Sequence, residues 1–119
     1  MHNIQQWDIW LTDFPYEEDH NQYSSRPVIV LSVEPLWLLS VKVTKHDKRE
    51  YDPYDVTIDK WQESGLEYPS TARISKTTGL SVSNFIKKLG VLYSDERLKI
   101  VQGFYDFVQS KNNDKAVNE

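Results

Sequence analysis

Two apolar runs joined by a polar loop, WDIWLTDFP (Trp7 to Pro15) and RPVIVLS (Arg26 to Ser32), constrain this chain more than any other feature. In the first, Ile9, Leu11 and Phe14 are punctuated by Asp8, Thr12 and Asp13, the alternation of a half-buried strand. The second opens with Pro27, which a strand tolerates only at its first residue or on an edge. It continues as Val-Ile-Val-Leu, a β-branched run long enough for a strand buried on both faces. Arg26 stands immediately before it, a permanent cation where a loop meets a rigid sheet, and such positions often carry reactive groups.

The rest of the chain reads as a series of short elements. Pro35 marks a turn, Leu36 to Thr44 a third strand, then a charged stretch KHDKREYDP, and Tyr54 to Ile58 a fourth strand. Asp59 is placed to cap a short helix, Lys60 to Ser64, that Gly65 terminates. Ser70 to Lys76 reads as a fifth strand with Ala72 and Ile74 on one side, Thr77 to Gly79 as a turn, and Leu80 to Val91 as a last pairing or a short helix. Ser94 caps a helix with Asp95 and Glu96 in its first turn. Leu98, Val101, Tyr105 and Val108, with Phe104 beside them, form the face expected to pack on the sheet. One domain, residues 1–110, is followed by a polar tail, 111–119, expected to be disordered. Short strands followed by one helix imply a mainly β (α+β) fold, a small barrel with helical additions.

Charge and cysteine content narrow the function classes. The chain of 119 residues has no cysteine, hence no disulfide framework and no thiolate metal site. Its net charge of −4 argues against strong general affinity for nucleic acid. The charge is uneven, however: residues 1–70 carry −7 and residues 71–119 carry +3. A local basic face drawing on Arg26, Lys42, Lys45, Lys48, Arg49, Arg73, Lys76, Lys87 and Lys88 is compatible with that balance. The start, MHNIQQWDIW, lacks the pattern of a signal peptide, and no apolar run approaches the roughly 20 residues of a membrane span, so a cytoplasmic location and no membrane contact are expected. His2, His20 and His46 have no metal-ligand spacing, so no metal or other cofactor is expected.

The order and spacing of these pieces resemble the MazF/PemK family of toxins. The family's opening runs roughly G-D-I-W, Asp or Asn, F-P, a variable loop, and R-P-V-x-V-L-S. VKVTKHD (Val41 to Asp47) resembles its next strand, where a threonine ends the apolar run, here Thr44. Trp61, Gly65-Leu66, Pro69-Ser70 and Arg73 follow, and KKLGVLYSDE (Lys87 to Glu96) resembles the family's I-G-x-L-S-x-E-x-L passage into its last helix. The resemblance spans Trp7 to Val108, with three departures. Trp7 stands where a glycine is usual, the loop Tyr16 to Ser25 has no glycine, and an aspartate some members carry near Ser75 is missing.

The resemblance implies an SH3-like barrel that dimerises, and a ribonuclease that cuts single-stranded RNA without metal. The 2′-hydroxyl of the RNA attacks the adjacent phosphate, leaving a 2′,3′-cyclic phosphate and a 5′-hydroxyl. Arg26 and Thr44 match catalytic positions: a guanidinium able to hold two phosphate oxygens, and a hydroxyl that hydrogen-bonds the phosphate. For Arg26 the competing reading is a pair with an acid such as Asp13 that fixes the loop. Arg73 reads either as a phosphate contact or as a structural ion pair, with Lys45 and Lys76 as further RNA contacts. His46 is placed to act as a base or simply to be solvated, His20 lies in the loop before Arg26, and Tyr16 and Tyr23 are placed to stack on bases. Trp37 and Trp61 read as core or interface. The implied partners are single-stranded RNA, a small acidic antitoxin covering the Arg26 and Arg73 face, and a second copy of the chain. DNA contact is expected only through the antitoxin. The alternative is a non-enzymatic binder of the same fold, either like the gyrase-poisoning toxins or a catalytically degenerate family member.

Overall fold

The computed structural model describes residues 3–16, 18, 19, 21–45 and 51–117. Six strands precede one helix: β1 (Asp8–Pro15), β2 (Tyr23–Val33), β3 (Leu38–Thr44), β4 (Asp55–Ile58), β5 (Ser70–Leu80), a 3-10 turn (Val82–Asn84), β6 (Phe85–Val91) and α1 (Ser94–Val117). They form one antiparallel sheet in the order β4-β5-β3-β2-β1-β6. Among the described residues β4 pairs only with β5, and β6 only with β1, so the hydrogen-bonded sheet is open there and not closed into a barrel.

Both faces of this sheet are covered. One carries Ile9, Ile29, Val41, Val43, Ala72 and Ile74, packed under Ile100, Phe104 and Phe107 of α1. The other carries a second cluster of Trp10, Phe14, Val28, Val30, Leu38, Leu80 and Phe85. β2 lies between them, so its Val-Ile-Val-Leu run has no solvent side and needs no polar residue, as expected.

Three local expectations change. The turn expected at Thr77–Gly79 is a bulge within β5: Arg73 pairs with Lys42 and Thr78 with Ser40, so β5 carries extra residues there. Thr77 Oγ1 donates to the Ile74 carbonyl at 2.7 Å across it, and the strand resumes to Leu80. The helix expected at Lys60–Ser64 is a single turn, with Ser64 N–H donating to the Lys60 carbonyl at 3.1 Å and Leu66 N–H to the Trp61 carbonyl at 3.0 Å. Gly65 ends it at φ 90°, where a Cβ would also stand 2.3 Å from the Leu89 carbonyl oxygen, so only glycine fits.

The third change concerns α1. Leu98, Val101, Tyr105 and Val108 are not its packed face: all four are exposed, Leu98 at 76%. Phe104 packs as expected, joined by Ile100, Gly103 and Phe107. Both stripes have the same helical period, so periodicity does not choose between them. Gly103 does, because α1 crosses so close that a Cβ there would stand 3.2 Å from Val56 Cγ2 and 3.4 Å from Ile74 Cγ1. The helix begins at Ser94, and buried Glu96 ties it to the preceding turn by accepting from Lys60 N–H at 2.6 Å. It runs past Lys111 to Val117, through most of the segment expected as a tail. Among the described residues no helix is long and apolar enough to cross a membrane.

Candidate functional site

Strand register assembles the site on the sheet face opposite α1. Thr12 of β1 pairs with Arg26 of β2, and Thr44 of β3 with Thr71 of β5, which pairs with Thr57 of β4. β2 and β3 pair as Val28 with Lys42 and Ile29 with Val41, and the same register extended by two residues sets Arg26 opposite Thr44. Cross-strand partners share a face, so four threonines and one arginine form a single row. The adjoining row runs from Lys88 through Trp10, Val28, Lys42 and Arg73 to Asp55.

Arg26 has an anchored backbone and an exposed head. The fully buried Thr12 hydroxyl donates to its carbonyl at 2.9 Å. Its guanidinium lies exposed and donates to the Ser25 carbonyl at 2.9 Å. Among the described residues no carboxylate pairs with it, so the pairing with Asp13 is not formed. Thr44 ends β3 at 9% exposure, and its Oγ1 is buried with no hydrogen-bond partner among the described residues. A buried hydroxyl left unsatisfied is costly, and such groups mark places where a ligand completes the bonding.

Arg73 has the opposite character. It is buried, with Nη2 3.0 Å from Asp52 and Nε 3.3 Å from Asp55. Asp52 also accepts from Ser75 Oγ at 2.6 Å and from the Tyr54 N–H at 3.0 Å. Burial opposes ionisation of Asp52, but these hydrogen bonds and the Arg73 charge outweigh it and hold the carboxyl below its ordinary value. Burial likewise disfavours charge on Arg73, yet bonds to Asp52 and Asp55 and their charges raise its pKa further. Of the two readings of Arg73, the structure therefore shows the structural ion pair. Asp52 is the residue sequence reasoning missed. Its one signal was the Asp-Pro-Tyr-Asp spacing at the end of the charged stretch, two carboxylates ahead of a strand that carries an arginine.

The remaining candidates are more scattered. Lys45 is exposed just past β3, its ammonium 5.3 Å from the centre of the Tyr68 ring. Lys76 is half-buried in the β5 bulge. Tyr16 and Tyr23 are exposed at the far end of the β1–β2 hairpin, where Tyr16 N–H donates to the Gln22 carbonyl at 2.9 Å. Trp61 packs half-buried against the core under α1, whereas Trp37 is largely exposed beside Gly79. His20, His46, Lys48 and Arg49 lie outside the described residues. So does His2, and the expectation about metal spacing stays a reading of the sequence.

A six-stranded antiparallel sheet with a helix on one face, and an exposed arginine in a row with four threonines on the other, defines a small α+β protein. The family model for the PemK-like, MazF-like toxin of type II toxin-antitoxin systems matches residues 5–107, and the chain belongs to that family. Among solved structures it is similar to the Mycobacterium tuberculosis toxin MazF-mt6, at 17% identity over 83% of this chain and 93% of that one, with a TM-score of 0.65. It is also similar to an endoribonuclease in complex with its cognate antitoxin from Mycobacterial species, at 13% identity over 89% of this chain and 95% of that one, with a TM-score of 0.71. At such identities these likenesses establish the fold. No curated protein sequence matches the chain.

Proposed function

We propose that the chain is an endoribonuclease toxin that cuts single-stranded RNA by attack of the RNA's own 2′-hydroxyl, giving a 2′,3′-cyclic phosphate and a 5′-hydroxyl. The observation that carries this reading is the Thr44 hydroxyl, buried with no partner among the described residues, in the same row as an arginine whose charge no described carboxylate neutralises. Arg26 holds the non-bridging oxygens as charge builds on the phosphorane, and Thr44 Oγ1 hydrogen-bonds the same phosphate. The proton of the attacking hydroxyl passes to a base, for which His46, two residues past Thr44 in the sequence, is one candidate. The leaving 5′-oxygen takes a proton from solvent to become the 5′-hydroxyl. Arg73 positions the site through Asp52 and Asp55 instead of touching phosphate.

The family and the antitoxin-bound neighbour support a small antitoxin as partner. A homodimer in the cytoplasm completes the proposal, and the exposed stripe Leu98, Val101, Tyr105 and Val108 supplies apolar surface for a second copy. The test is incubation of antitoxin-free protein with single-stranded RNA, with and without EDTA, followed by analysis of product ends. Cyclic phosphate and 5′-hydroxyl ends, unaffected by EDTA, are expected. The full engagement of Arg73 by two carboxylates favours a second reading, a non-enzymatic binder, and no cutting of any RNA would select it.

A further inference from the structure

At the β4 end of the row lies a cavity of about 210 Å3 that no candidate residue accounts for. Thr57 and Thr71, the last two members of the row, line it, with Asp59, Trp61 and Pro69 among its other walls. It is smaller than the roughly 300 Å3 at which pockets for drug-sized ligands begin, so it takes one ring system, not a nucleotide with its sugar and phosphate. Trp61 and Pro69 give it flat apolar walls, and Thr57 and Asp59 give it polar edges. Lys99 lies 3.0 Å from Asp59 and also donates to the Thr57 carbonyl, so the carboxylate beside the cavity is neutralised. Tyr68, next to the lining residue Pro69, is 55% exposed and carries against its ring the ammonium of Lys45, the residue after Thr44.

We propose that this cavity binds one base of the RNA, that of a nucleotide adjoining the phosphate held at Arg26 and Thr44, and so contributes to cleavage-site choice. The inference rests on the ribonuclease reading of that site. Two strand spacings separate Thr44 from Thr57, about 10 Å, within reach of the base of a neighbouring nucleotide. An aromatic wall fits a base because single-stranded RNA is held largely by stacking. Asp59 accepts hydrogen bonds and donates none, so the favoured base presents an amino or imino N–H to that side.

The test uses an oligonucleotide containing a cleavage site mapped with the wild-type protein, made uncleavable by a 2′-deoxy substitution at the scissile position. Removing bases one at a time should reveal one position, adjoining the scissile phosphate, whose loss weakens binding roughly tenfold or more. Thr57→Phe fills the cavity from an exposed edge strand. It should weaken binding of the intact oligonucleotide to a similar degree, and removal of that base should then cost little more. In wild type alone, 2-aminopurine at that position should be quenched on binding through stacking on Trp61, an outcome independent of any variant. Unquenched 2-aminopurine at both adjoining positions would overturn the proposal, as would a base-removal penalty undiminished in folded Thr57→Phe; in either case RNA cutting by wild type would leave the ribonuclease reading standing. A wild-type protein that neither binds nor cuts single-stranded RNA would overturn both.

Discussion

The Thr12 hydroxyl donates to the Arg26 carbonyl at 2.9 Å from a side chain with no exposed surface, so the main chain of Arg26 is anchored while its guanidinium stays at the surface. The two parts of the residue are therefore separable by mutation. Arg26→Ala should cut RNA turnover by about a hundredfold or more, the usual cost of losing one preorganised charge contact to a transition state. Its circular dichroism and urea midpoint should match wild type. Unchanged cutting by the folded variant would remove Arg26 from the site.

Thr44→Val should lower activity without lowering stability. Its Oγ1 is buried with no described partner, so deleting it removes an unsatisfied polar group and keeps shape and strand propensity. The urea midpoint is expected to hold or rise while turnover falls. A clear loss of stability would mean that the hydroxyl has a partner in the fold.

Asp52 and Arg73 predict the acid behaviour of the protein. The folded pKa of Asp52 lies below the ordinary 3.8, so its stabilising contribution is complete above that value and is lost as pH falls through the lower folded one. Asp52→Asn should flatten the acid limb of a stability–pH curve below about pH 4. Arg73→Met leaves Asp52 and Asp55 buried without their cation and should cost about 3–5 kcal/mol at neutral pH, read by urea denaturation.

Trp7 sits at φ 74°, a left-handed conformation that costs a side-chain-bearing residue about 1–2 kcal/mol and glycine almost nothing. The family resemblance expects glycine at this position, and the positive φ gives that expectation a physical reason. The ring packs against the core under α1 with the Arg97 guanidinium 5.8 Å from its centre, which offsets the strain. Trp7→Ala and Trp7→Gly both lose that packing, but only alanine keeps the strain. The glycine variant should therefore unfold at the higher urea concentration, by about 1 kcal/mol, the reverse of the usual order within strands.

The sequence alone determined that β1 and β2 are strands, because alternation and a β-branched run favour them. It did not determine that Asp8, Trp10 and Thr12 of β1 are buried too, since a second cluster covers that face, nor that β2 begins at Tyr23, ahead of Pro27. The family resemblance singled out Thr44 and supported Arg26, but only the structure places Arg26 inside β2, three residues past its start at Tyr23, and not in the loop before it. The sequence alone did not determine which stripe of α1 packs, since Ile100–Phe107 and Leu98–Val108 have the same period and only the contact of Gly103 with Val56 and Ile74 separates them. Nor did it choose the role of Arg73, whose partner Asp52 lies 21 residues away and reaches it only because β4 pairs with β5. Periodicity and turn chemistry act between near neighbours and survive in the one-dimensional string. Ion pairing and close packing act through space, and only the folded sheet brings those residues within a few ångströms of one another.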